Sequence, residues 1–120
     1  YVHMQGWVPQ TTVMKFIEAS DILVVSSQHE SLPMVIAESM AAGKVVVASA
    51  VGGIPEMIDD GMNGFLFNLQ EKDGLLNILD DLYNNNEKVQ RITKNAVARA
   101  HRYDCESVAK RTIEFYQHCV

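Results

Sequence analysis

The sequence predicts a doubly wound α/β fold: a parallel sheet flanked by helices, with a helical C-terminal tail. Three observations carry that prediction. Two unbroken apolar runs, Ile22-Leu23-Val24-Val25 and Val45-Val46-Val47-Ala48, read as strands buried on both faces, which is what a helix-covered parallel sheet requires. Helical stretches separate these strands, as in βαβ units. The last third then carries apolar stripes at helical spacing. A length of 120 residues fits one domain, and 48% hydrophobic with 21% charged residues is enough to build a core.

Tyr1 to Gln5 is a strand candidate ended by Gly6. Thr11 or Thr12 is expected to cap a helix whose apolar face holds Val13, Phe16 and Ile17. Asp21 leads into the first apolar run. A helix is expected from about Pro33 to Ala42, because Pro suits the first helical turn and Gly43 the position just past the end. After the second run, Gly52-Gly53 breaks the chain and a short helical turn follows near Pro55. Asn63-Gly64 is a turn into a short strand, Phe65-Leu66-Phe67. Leu75, Leu76, Ile78, Leu79 and Leu82 form one helical stripe, which Asn84-Asn85-Asn86 ends. Val89, Ile92, Ala96 and Ala100 form a second, and Val108, Thr112, Phe115 and Cys119 a third. All three are read as faces packed into the core.

Ten basic against fifteen acidic side chains give a formal net charge of -5. Without a basic stripe the chain is not read as a nucleic-acid binder, since phosphate neutralisation supplies most of that affinity. An anionic membrane surface is disfavoured on the same ground. A small phosphorylated ligand is not, because backbone N–H groups at a helix start hold phosphate without net positive charge. Cys105 and Cys119 make neither a disulfide framework nor a zinc spacing, and are read as reduced thiols of a cytoplasmic protein. No apolar run approaches the ~20 residues that span a bilayer, and no signal-peptide pattern is read. Tyr1 stands where an initiator Met would, so the expectation is a piece of a longer polypeptide.

Open α/β sheets bind ligands outside the carboxyl ends of their strands. The loops after Gln5, Val25 and Ala48 lie there. The loop Ser26-Ser27-Gln28-His29-Glu30-Ser31-Leu32 runs straight into a helix, whose start favours an anion. Leu32 and Met34 offer N–H groups there and Pro33 does not. A simpler reading is that Ser31 only caps the helix. Glu30 is a loop carboxylate able to accept from sugar hydroxyls. Glu38 sits in the second helical turn, and its side chain leans back toward the same cleft. Ile36, Ala37 and Met40 around it imply partial burial, and a buried carboxylate needs partners; ribose hydroxyls would serve, although most single helix glutamates are simply solvated. Gly52-Gly53 is weak evidence alone, and the chain has no G-x-G-x-x-G dinucleotide fingerprint. His3, His29, His101 and His118 show no metal spacing, and Ser26 and Ser27 lack the context of a nucleophile elbow.

In order and spacing, the segment from Ser26 to Gly43 with Glu30 and Glu38, then Val45-Val46-Val47-Ala48-Ser49, Gly52-Gly53-Ile54-Pro55-Glu56, Asp60-Gly61 and Asn63-Gly64-Phe65, resembles the C-terminal domain of the family 4 (group 1) retaining glycosyltransferases. Gly6-Trp7-Val8 and Ala19-Ser20-Asp21 fit the elements before them, so the resemblance covers nearly the whole chain. The resemblance implies the GT-B fold, with its Rossmann-like domain and E-x7-E motif. It implies a nucleotide-diphosphate sugar as donor, an acceptor of unknown kind, transfer with retention and no catalytic metal. Carried over by position, Glu30 would contact the donor sugar as the catalytic-side residue and Glu38 the ribose. The backbone of Ser31, Leu32 and Met34 would approach the phosphates or sugar, and the segment from His3 to Gly6 the base.

Two departures matter. Pro33 stands where the family usually has Gly, and Lys44 or Val45 where it often has Pro. The family's N-terminal acceptor domain and its basic Arg/Lys pair that grips the diphosphate are not among these residues. The isolated chain is therefore expected to transfer no sugar, and any membrane contact is expected to lie in the missing part. Other readings are a non-catalytic nucleotide- or sugar-binding module, half of a nucleotide-sugar epimerase, and a receiver domain. The last fits poorly, because Asp21 precedes its strand rather than ending it.

Overall fold

The computed structural model describes residues 1–119. Its elements run α1 (Gln10–Ala19), β1 (Ile22–Val25), α2 (Met34–Ala41), β2 (Val45–Ser49), α3 (Ile54–Met57), β3 (Phe65–Phe67), α4 (Gly74–Asn84), α5 (Asn86–Ala100), a 3-10 turn (His101–Tyr103) and α6 (Cys105–His118). The sheet is parallel in the order β1-β2-β3, with Val25 opposite Ala48 and Ser49 opposite Phe67.

β2 is the centre of the molecule, and all five of its residues are buried. Side chains alternate across a strand, so β2 feeds two cores. Val46 and Ala48 pack with Ile36, Ala37 and Met40 of α2, with Ile54 and Met57 of α3, and with Ala96 and Ala100 of α5. Val45 and Val47 face the other way, onto Phe65, Phe67, Leu82 and Ile92, with Leu75, Ile78 and Leu79 of α4 around them. α2 stops cleanly: Gly43 adopts φ 71° just past the helix, and the Gly43 N–H donates to the Met40 carbonyl at 3.0 Å. α3 is tied to α5 by Arg99, which donates to the Glu56 carbonyl at 2.8 Å and pairs with Asp59 at 3.2 Å.

Four expectations need correction. Residues 1–5 form no strand; they are exposed and pair with nothing among the described residues, and a strand without a ladder partner gains no backbone bonds. Neither Thr11 nor Thr12 caps α1, because the helix begins a residue or two earlier. Pro9 is the N-cap, and its carbonyl accepts from the N–H groups of Thr12 and Val13 at 2.9 and 3.1 Å. β1 is not buried on both faces: Val24 is 40% exposed, since the cluster on the α4 side of the sheet reaches Ile22 of β1 but stops short of Val24.

The fourth correction concerns the third apolar stripe. Every residue of α6 is exposed except the half-buried Ser107, and Phe115 is 66% exposed. α6 follows the 3-10 turn away from the sheet and, with the extended N-terminal residues, accompanies a Cα radius of gyration of 15.6 Å against about 13.6 Å for a compact chain of this length. Both thiols are free and exposed. Among the described residues no helix is long and apolar enough to cross a membrane.

Candidate functional site

The parallel register decides where the site forms. Because Val25 lies opposite Ala48, the chain leaves β1 and β2 at the same level, and the two following loops meet. Three contacts join them. The buried Ser49 hydroxyl donates to the Ser27 carbonyl at 2.6 Å. The Gly53 N–H donates to the Ser31 carbonyl at 2.8 Å. Gly52 and Gly53 press directly on the backbone of the first loop: an ideal Cβ on Gly52 would lie 1.7 Å from the Glu30 carbonyl oxygen, and one on Gly53 would lie 2.1 Å from that of Ser31. Only glycine permits such an approach. The glycine pair, weak evidence in the sequence, is thus the piece that lets the two loops join.

Glu30 is half-buried at this junction, and its Oε1 accepts from the Ser27 hydroxyl at 2.7 Å. Glu38 stands four residues into α2, half-buried, and both of its carboxylate oxygens accept from the Gln10 amide, at 3.3 and 3.4 Å. The Gln10 amide therefore sits where ribose hydroxyls were expected. Pro33 is the N-cap of α2, with φ -71° and ψ 108°; its carbonyl accepts from the Ile36 N–H at 3.1 Å, and it has no side-chain oxygen to cap the first turn. Ser31 does not cap the helix; its carbonyl is taken by Gly53. The N–H groups of the first turn of α2 thus meet no side-chain cap, while Ser31, Leu32 and Met34 are exposed beside them. Gly6 lies in the extended N-terminal segment, exposed, with φ 66° and nothing within 4 Å of an added Cβ.

Ser27, Ser49 and Gln10 are residues that sequence reasoning missed. Ser27 reads in the sequence only as a nucleophile candidate without an elbow, although its place three residues before Glu30 is a spacing at which a hydroxyl reaches a loop carboxylate. Ser49 and Gln10 carry no local signal, since their partners lie 22 and 28 positions away. Among the described residues no three His, Cys, Asp or Glu side chains come together as a metal-binding group. A groove of about 310 Å³ along α6, lined by Val108, Arg111, Thr112, Phe115 and Tyr116, lies on an element that stands off the sheet.

The profile of the family described as "Glycosyl transferases group 1" matches residues 1–99. The chain belongs to the group 1 glycosyltransferases. The D-inositol 3-phosphate glycosyltransferase of Thermomonospora curvata is 32% identical over 108 residues, which is 90% of this chain and 25% of that protein. The chain thus spans about a quarter of the length of the curated relatives it matches. Anabaena HepE in complex with UDP superposes with a TM-score of 0.78 at 32% identity, over 87% of this chain and 29% of the other. The same protein in complex with UDP-glucose gives a TM-score of 0.77. Sucrose-phosphate synthase from Thermosynechococcus elongatus gives 0.81 at 25% identity, over 95% and 29%. The three-stranded parallel sheet with its flanking helices is the fold of the C-terminal domain of the GT-B glycosyltransferases.

Proposed function

We propose that these 120 residues are the donor-binding half of a retaining hexosyltransferase, which moves a sugar from a nucleotide-diphosphate sugar to an acceptor held by the rest of a longer protein. The observation that carries the reading is the joined pair of loops at the carboxyl ends of β1 and β2, which holds Glu30 at the mouth of α2 with Glu38 one turn inside. The UDP and UDP-glucose complexes of Anabaena HepE support it.

In this reading Glu30 accepts hydrogen bonds from hydroxyls of the donor sugar and is the catalytic-side contact. Glu38 accepts from the two ribose hydroxyls, which replace the weak pair of bonds from Gln10. The uncapped N–H groups at the start of α2, with the backbone of Ser31, Leu32 and Met34, face the diphosphate. The helix dipole there favours the negative charge that grows as the bond from the anomeric carbon to the diphosphate oxygen breaks, that oxygen keeping the electron pair. The acceptor hydroxyl oxygen forms the new bond on the same face of the sugar as its own O–H bond breaks, and the proton passes to the departing diphosphate oxygen. The segment around Gly6 lies toward the base. Acceptor, any membrane contact and a basic grip on the diphosphate belong to the remainder of the protein, so the isolated chain binds donor weakly and transfers nothing. The chemistry assigned to these residues calls for no metal ion, and the compartment is cytoplasmic.

Ligand-observed NMR with UDP-, GDP- and ADP-sugars tests this on the chain and on the full-length protein. One nucleotide series binds, and Glu38→Ala weakens it about ten- to hundredfold, the worth of hydrogen bonds to a charged acceptor. Failure of the full-length protein to bind any series, or turnover by the isolated chain, would refute the assignment.

A further inference from the structure

We infer that Ser27 is a positioning residue for Glu30, held in turn by Ser49, and that this relay sets how tightly the sugar part of the donor is bound. The inference rests on the donor-site reading above and goes beyond it by assigning roles to two residues other than the two motif glutamates.

The relay starts in the core. Ser49 is the last residue of β2 and is fully buried, so its hydroxyl must be satisfied inside the protein. It donates to the Ser27 carbonyl at 2.6 Å. That bond fixes the Ser27 backbone relative to the sheet. The Ser27 hydroxyl then donates to Glu30 Oε1 at 2.7 Å, a short bond to a charged acceptor. On the other side, Gly52 packs against the Glu30 carbonyl, which fixes the backbone from which the carboxylate springs. Glu30 is thus held at both ends. Its second oxygen, Oε2, accepts from no protein group among the described residues, and a carboxylate oxygen left so can accept from a hydroxyl. A polyol ligand supplies such hydroxyls. The Ser27 bond restricts the carboxylate to one orientation before the ligand arrives, which lowers the ordering cost of binding. No other part of the donor touches Glu30 in this scheme, so the effect falls on the sugar and not on the nucleotide.

The test is a ratio measured on the full-length protein. Affinities for UDP-glucose and UDP, GDP-mannose and GDP, and ADP-glucose and ADP are determined by calorimetry. For the pair that binds, Ser27→Ala is expected to lower the sugar-nucleotide affinity relative to its diphosphate about tenfold, a loss of the order of one charged hydrogen bond. Ser27→Thr, which keeps the hydroxyl, restores most of the ratio. In a Glu30→Ala background Ser27→Ala changes the ratio no further, because the residue through which it acts is gone. An unchanged ratio in Ser27→Ala, or the same loss with and without Glu30, overturns the positioning role while leaving the donor site standing. A wild-type protein that binds none of the six ligands overturns the donor site, and this inference with it.

Discussion

Gly53→Ala is the sharpest test of the joined loops, because it adds one methyl group and changes little else. Gly53 has φ -84° and ψ -1°, a conformation that alanine adopts without strain. The whole effect is therefore steric. The added Cβ would lie 2.1 Å from the Ser31 carbonyl oxygen and 3.2 Å from its carbon, whereas comfortable non-bonded contact begins at about 3.5 Å. The loops must separate by more than 1 Å, roughly the difference between those figures. That movement stretches the 2.8 Å bond from Gly53 to Ser31 beyond useful length. Overpacking costs about 1–3 kcal/mol and the lost hydrogen bond about 1 more, for a total of about 2–4 kcal/mol.

Urea unfolding of the chain reads this directly. With a slope of about 2 kcal/mol per molar, the midpoint falls by about 1–2 M. Gly61→Ala is the matched comparison. Gly61 has φ 71° but nothing within 4 Å of an added Cβ, so it carries backbone strain alone, about 1–2 kcal/mol. Gly52→Ala combines both effects, with φ 54° and an added Cβ only 1.7 Å from the Glu30 carbonyl oxygen, and is the most damaging of the three. A Gly53→Ala midpoint within error of wild type, or a Gly61→Ala loss larger than that of Gly52→Ala, would refute the close-approach argument.

Two further outcomes are expected. Ile92, fully buried where α5 meets β2 and β3, loses about 2–5 kcal/mol on truncation to Ala, while Phe115→Ala on the exposed face of α6 stays within about 0.5 kcal/mol; equal losses in urea unfolding would mean that α6 packs into the core. The Ser107 backbone N–H, donated at 2.7 Å, holds the Asp104 carboxyl below its ordinary value, with the Ser107 and His101 side chains adding to it. A carboxylate depressed in the folded state contributes stability above its unfolded pKa, which is lost as pH falls through the folded value. The Ser107 amide NMR resonance should therefore shift as the solution is acidified below about pH 4. Asp104→Asn, which caps without titrating, should abolish that shift, and its persistence in the Asn variant would refute the cap.

What the sequence discloses and what it withholds divide along a physical line. The run at β2 reads correctly as a strand covered on both sides, and the same kind of run at β1 leaves Val24 exposed. An apolar run says that burial is favourable; it does not say that another element is there to provide it. α6 makes the same point, since its stripe has the period of the α5 stripe, yet α5 meets the sheet and α6 does not. The start of α1 is misread because Thr is a good capping side chain, while Pro9, two positions ahead of Thr11, already supplies an extended N-cap whose carbonyl takes the Thr12 N–H. The glutamates of the candidate site are legible from their spacing along one loop and one helix. The contacts that hold the loop are not, because they join residues across two strands, and a backbone carbonyl pressed on a glycine leaves no trace except a missing Cβ. The register converts that absence into information. Once Val25 is known to lie opposite Ala48, the chain after each strand must leave the sheet side by side with the other. The loop that returns past Glu30 then has room only if residues 52 and 53 are glycine. The Gly-Gly pair and the loop glutamate, which look independent in the sequence, are two halves of one packing constraint. A side chain placed at either glycine should therefore disturb Glu30 before it disturbs the sheet.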